Sequence, residues 1–155
     1  MQHVKIHRGY EGNFLDPLDY LSVLPELADH LPAGARTFAT DPQHYDFYSQ
    51  RCVKDLKPLA LVFGEENGVG WAELHLGHNC WKHEEDLTIR YVGLRSLVID
   101  PVAADDVTKL LDVILDELLP HEHGCSHELA CLAGTLTVTC TDLIATWREA
   151  DCPER

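Results

Sequence analysis

The sequence predicts an α+β fold: a single antiparallel β-sheet of about five to six strands, with helices packed mainly on one face. Two segments, 59–76 and 127–141, alternate in hydropathy on either side of turn residues, as hairpins do. A third run, 87–99, alternates without a central turn. Two others, at about 16–31 and 104–119, repeat apolar residues at helical spacing. The strands do not alternate with crossover helices, which argues against a Rossmann-type parallel sheet. The 155 residues contain no repeat, low-complexity tract or Pro/Gly/Ser linker, so residues 1–155 are expected to form one globular α+β domain.

Taken in order, His3-Val4-Lys5-Ile6-His7 alternates as a short edge strand would. Asp16-Pro17 opens the first helix, because Asp accepts from the unpaired N–H groups of a first turn and Pro fits its first position. Leu18, Leu21, Leu24, Ala28 and Leu31 form its apolar stripe, and Pro25 is expected to kink or split it. Asp41-Pro42 repeats the start signal before a short polar helix through His44, Tyr45 and Tyr48. Asn67-Gly68 is a two-residue hairpin turn, since both positions tolerate positive φ. Centred there, the ladder pairs Phe63 with Ala72, Leu61 with Leu74 and Leu59 with Leu76; the opposite face takes Ala60, Val62, Trp71, Glu73 and His75. Leu87, Ile89, Tyr91, Leu97 and Ile99 share one parity, with Gly93 marking a bulge or bend. Val107, Leu110, Leu111, Ile114 and Leu118 form the stripe of the second helix, which Pro120 ends. A turn at Ala133-Gly134 pairs Cys131 with Leu136, Leu129 with Val138 and His127 with Cys140, and the last strand continues through Leu143, Ile144 and Trp147.

Charge narrows the function. The chain carries 12 Lys+Arg against 26 Asp+Glu, a formal net charge of -14. Such an excess of acid argues against nucleic acid and anionic membranes as direct ligands, because both need a cationic surface. The acid is concentrated. Residues 58–89 hold Glu65, Glu66, Glu73, Glu84, Glu85 and Asp86 against Lys82, and residues 100–128 hold eight acids against Lys109. These segments are either solvated faces that keep the chain soluble or an acidic docking surface for a basic partner. The N-terminal residues lack the apolar core of a signal peptide, and the longest apolar run, Leu59 to Phe63, is far short of a membrane span of ~20 residues. A cytoplasmic location is expected, where the 6 Cys would be thiols or metal ligands rather than disulfides.

Two clusters of metal-ligand residues stand out. His75, His78, Cys80 and His83 precede the acidic run Glu84-Glu85-Asp86. His121, His123, Cys125 and His127 alternate, so an extended backbone would project them to one side. Zinc favours such nitrogen and sulfur donors and is the one cofactor these spacings suggest, although neither matches a standard zinc motif. His44, Asp46, Arg51, Cys52 and Asp55 form a polar stretch in which Cys52 could act as a nucleophile with His44 as base; burial of Cys52 as a small apolar residue is the simpler reading. No G-x-S-x-G or phosphate-cradling glycine loop is present, and Gly64, Gly68 and Gly70 read as hairpin geometry.

The leading expectation is a small acidic cytosolic protein-binding module rather than an enzyme, of the immunity or anti-toxin-inhibitor type, that masks a basic partner. Trp71, Glu73, Glu84, Glu85 and Asp86 are its candidate partner-binding residues. The alternative is a zinc-binding protein, either a structural site or a hydrolase, built on the clusters 75–83 and 121–127. Self-association through an exposed sheet face or edge, giving a homo-oligomer, is a third expectation.

Overall fold

The computed structural model describes residues 1–101 and 106–153. The chain opens with a hairpin, β1 (Lys5–Gly9) and β2 (Gly12–Asp16), followed by α1 (Leu18–Ala28), α2 (Ala33–Ala39) and a run of turns. Next come β3 (Lys57–Glu66), β4 (Val69–Gly77), β5 (Glu85–Val92) and β6 (Ser96–Asp100), then a 3-10 turn at Val107–Leu110. The last four strands are β7 (Val113–His121), β8 (Gly124–Cys131), β9 (Thr135–Cys140) and β10 (Asp142–Glu149). Among the described residues 49% are strand and 15% helix, arranged in three sheets of 2, 4 and 4 strands. The expected α+β fold with a single sheet of five to six strands is therefore overturned; the protein is mostly β.

The two larger sheets are topological copies. Sheet I has the order β10-β5-β4-β3 and sheet II the order β6-β9-β8-β7. In each, three consecutive antiparallel strands form a meander, and the fourth strand comes from the other half: β10 completes the first meander and β6 the second. Each meander begins with a strand that bulges near its start, between Pro58 and Ala60 in β3 and between Val113 and Leu115 in β7. Reciprocal backbone bonds join these two starts, Asp55 N–H to the Val113 carbonyl and Val113 N–H to the Leu56 carbonyl, both at 2.8 Å.

Gly93 explains why 87–99 is two strands rather than one bent strand. Its φ is +62, and a Cβ there would overlap the Thr141 side chain, so the chain turns out of sheet I at this point and enters sheet II as β6. Thr141 is the matching corner between β9 and β10, and its N–H bonds the Val92 carbonyl at 3.0 Å. The expected continuation through Leu143, Ile144 and Trp147 is thus a strand of the opposite sheet.

Between the sheets lies one apolar core. Ala72, Leu74, Leu76, Leu87, Ile89, Tyr91 and Leu143 enter it from sheet I, and Leu129, Cys131, Leu136, Val138 and Cys140 from sheet II, all essentially without exposed surface. Each fully buried Leu or Ile contributes roughly 1.5–3 kcal/mol of transfer free energy. The first hairpin keeps the predicted pairs Phe63–Ala72 and Leu61–Leu74, but Pro58, not Leu59, faces Leu76. Pro58 has no N–H for the ladder, and at the bulge Leu59 is left 54% exposed.

The second hairpin keeps its predicted faces but slips by two residues. Leu129 pairs with Leu136, His127 with Val138 and Cys125 with Cys140. A slip of two preserves side-chain parity, so hydropathy cannot detect it; the turn is longer than two residues and is closed by Cys131 N–H on the Gly134 carbonyl at 2.8 Å.

The helix predicted at 104–119 is absent; residues 104 and 105 lie outside the described residues, and the remainder is the 3-10 turn followed by β7. Val113 to Leu118 are buried on both faces. A strand covered on both sides reads as a continuous apolar run, which fits a helical stripe equally well.

Of the predicted helix 16–31 only α1, Leu18–Ala28, forms; α2 begins beyond it at Ala33. Asp16 accepts from the Leu18 N–H at 2.9 Å, but Pro17, not Asp16, is the cap residue of α1. However, α1 runs through Pro25, and the break falls after Ala28, before Pro32. The polar helix expected after Asp41-Pro42 is a run of turns. No helix among the described residues is long and apolar enough to cross a membrane. At the sheet corner, Gly93→Val should destabilise the protein by at least about 2 kcal/mol, read as a lowered urea midpoint, through positive-φ strain and the clash with Thr141.

Candidate functional site

The outer faces of the two sheets differ. On sheet II, the Glu117 carboxylate accepts the backbone N–H groups of Gln2, His3 and Val4 at 2.6, 2.7 and 2.7 Å, and Arg8 donates to the Cys131 and Leu132 carbonyls. The first eight residues thus lie across that face and leave Glu117 buried. On sheet I, the register aligns Val62, Glu73, Arg90 and Ile144 in one outward row. Trp71 and Val92 lie in the next. Val62 is 43% and Ile144 53% exposed, although α2 packs against β10 beside Ile144.

This face is internally braced. The Trp71 indole lies over Gly64, where a Cβ would overlap the ring. The Arg90 guanidinium sits 4.2 Å from the ring centroid, a cation–π contact, and reaches Glu73 at 3.1 Å and Glu66 at 3.4 Å. At the hairpin tip Glu65 and Glu66 are exposed beside Phe63 and Val69. Of the predicted partner-binding residues, Trp71 and Glu73 belong to this face. Glu84 is exposed at the other end of the molecule's first sheet, Glu85 is held by Arg51 at 2.6 and 3.0 Å, and Asp86 accepts from His78 at 2.7 Å.

The first predicted metal cluster is only partly assembled. His75 stands on the outer face of sheet I near Glu73 and Thr88. His83 is fully buried: its Nδ1 accepts the Asn79 N–H at 3.1 Å and its Nε2 donates to the Cys52 carbonyl at 2.8 Å, and burial moves its pKa down. His78 and Cys80 do come together, joined by Cys152 from the segment after β10, with donor atoms all within 4.8 Å of one another. The hydrogen bond to Asp86 raises the His78 pKa. This His/Cys group could hold a metal ion. The sequence reading missed Cys152, which becomes visible only once β10 is known to run beside β5.

The second cluster disperses. His121 and His123 are exposed at the β7–β8 turn, Cys125 is buried with its Sγ 3.7 Å from that of Cys140, and His127 points into the core. There it joins a network that sequence reasoning did not find. Asp116, without exposed surface, accepts from His44 Nε2 at 2.7 Å and from His127 Nε2 at 2.9 Å. His44 Nδ1 donates to the Phe38 carbonyl at 2.9 Å, and Tyr91 donates to His127 Nδ1 at 2.8 Å. His44 therefore donates from both nitrogens and forms an ion pair with Asp116. Burial alone would raise the Asp116 carboxyl, but the His44 charge and the two imidazole hydrogen bonds outweigh it and hold the carboxyl well below its ordinary 3.8.

The polar stretch around Cys52 does not come together as one cluster. Cys52 is buried, and burial pushes its thiol up to about 11. His44 is committed to Asp116, Arg51 to Glu85 and Asp55 to Lys54 and Lys82, while Asp46 is exposed. No family, curated protein or solved structure matches this chain.

Two outcomes test the network. Asp116→Ala should cost about 3–5 kcal/mol in urea unfolding, because the Nε2–H groups of His44 and His127 both lose their buried acceptor. Because the folded carboxyl titrates below the unfolded one, its stabilisation is complete above about pH 5 and declines as pH falls below about 4. Asp116→Asn should flatten the loss of stability between about pH 4 and pH 2, measured as urea midpoint against pH.

Proposed function

We propose that the protein is an acidic binding module that docks a basic protein partner on the outer face of sheet I. The observation that carries this reading is the unequal cover of two equivalent faces: residues 1–8 lie across sheet II, whereas on sheet I Val62 and Ile144 stay exposed and Trp71 is half-buried beside them. An aromatic anchor held between a glycine and an arginine, with apolar neighbours and acid at Glu66 and Glu73, has the make-up of a protein interface.

The choice of a basic partner rests on charge. With a net charge of -14, cations approach faster than anions. Several of the basic side chains are already engaged: Arg51 with Glu85, Lys54 and Lys82 with Asp55, Arg90 with Glu66 and Glu73, and Lys5 with Asp19. In size and charge the chain suits an immunity or anti-toxin-type inhibitor, which acts by covering a cationic site on its target.

Affinity capture from the native host, repeated with Trp71→Ala and at raised salt, tests this. A basic protein should be retained by the parent chain, and Trp71→Ala should weaken its binding by at least about tenfold, the loss of a modest aromatic hot spot. Added salt should slow its association. Retention of only acidic proteins, or binding indifferent to both changes while Trp71→Ala stays folded by circular dichroism, would overturn the reading.

A further inference from the structure

We infer that His78, Cys80 and Cys152 form a zinc-type metal site that clasps the segment after β10 to the loop between β4 and β5. The donors come from two segments distant in sequence: His78 and Cys80 leave the end of β4, and Cys152 follows β10. The β5–β10 register ends with Glu85 opposite Glu149, and the Ala150 N–H donates to the Glu84 carbonyl at 3.0 Å, so the second segment is carried alongside the first.

The loop is built to hold its shape. The N–H groups of Lys82 and His83 both close on the Asn79 carbonyl, at 2.9 and 2.8 Å. Beneath it the buried Lys82 ammonium donates to the Lys54 carbonyl at 2.7 Å and to Asp55 at 3.2 Å, while His83 is anchored on Cys52. These bonds position Cys80 independently of any metal. Asp86 accepts from both the backbone N–H and the Nδ1 of His78, each at 2.7 Å, which fixes the ring and leaves Nε2 as the ligating nitrogen. A carboxylate behind a metal-binding histidine is the usual second support of a zinc site.

The chemistry and the dimensions agree. One imidazole and two thiolates are donors that zinc accepts and that magnesium and calcium do not prefer. Two thiolates balance the charge of the dication, and the Asp86 carboxylate stands behind His78. Tetrahedral zinc spaces nitrogen and sulfur donors by about 3.6–3.8 Å, so donors that already lie within 4.8 Å of one another need to close by at most about 1 Å, which side-chain rotation supplies. Among the described residues three protein donors converge.

Cobalt(II) is the probe, added to reduced, untagged protein. One equivalent should bind with the intense visible and near-ultraviolet bands of a tetrahedral thiolate complex, and zinc should displace it. Cys80→Ser and Cys152→Ser should each remove most of the thiolate absorption and weaken binding by more than about 100-fold, and Asp86→Asn should weaken it by about 10–100-fold. The double variant His121→Ala/His123→Ala should bind as the parent does. In hydrogen exchange, zinc should protect residues 150–153. A complex without thiolate bands, binding indifferent to Cys152→Ser, or a Cys80–Cys152 disulfide that persists when the protein is purified reduced and with zinc would each overturn the assignment. Cys152 lies past the last strand, so circular dichroism of Cys152→Ser should match the parent and keep the comparison valid.

Discussion

Asp116 lies between the two sheets, and its carboxylate is satisfied only while three other segments stay in place. His44 comes from the turns after α2, His127 from β8, and Tyr91, one bond further out, from β5 of the opposite sheet. Each donor has a second duty: His44 binds the end of α2 through the Phe38 carbonyl, and His127 accepts from Tyr91. A charge so deeply buried is costly unless all its partners arrive, so the network penalises any packing in which helices, sheet I and sheet II are not together. Apolar contacts supply most of the stabilisation, but they are tolerant of small shifts; the ion pair and its two imidazoles are not.

This arrangement explains which parts of the fold were legible in the sequence. Asn67-Gly68 defined its hairpin because the turn chemistry and the alternation agree locally. The faces of the second hairpin were legible for the same reason, but its register was not, since a slip of two leaves every side chain on its own face. The segment Val113–Leu118 was misread because its strand is buried on both sides and loses the period that distinguishes strand from helix. Asp116 then fell on what passed for the polar side of a helix, and the network around it could not be anticipated. The exchange of fourth strands had no local signal beyond Gly93, which indicated a bend without indicating where the chain goes next.

The candidate sites follow the same division. Trp71 and Glu73 were legible because they lie on a hairpin whose faces were correctly sorted, and Arg90 joins them only through the β4–β5 ladder. Of the eight residues with metal-ligand chemistry, proximity in sequence grouped two that remain together, His78 and Cys80. Their third companion is supplied by strand pairing across most of the chain. Burial removed His83 and His127 from contention: both are spent on internal hydrogen bonds, which is the commoner fate of a histidine inside a protein.

The exchanged strands have a consequence for assembly in time. Neither meander can finish its sheet by itself, because β5 must wait for β10 and β9 must reach back to β6. The decisive pairings are therefore non-local, and folding of this chain is limited by loop closure more than by the formation of any hairpin. During synthesis the first meander emerges with the β5 edge unpaired, an open template for any extended segment nearby until the last strand arrives. The same connectivity makes each half the complement of the other, since each sheet is completed only by a strand from the other half.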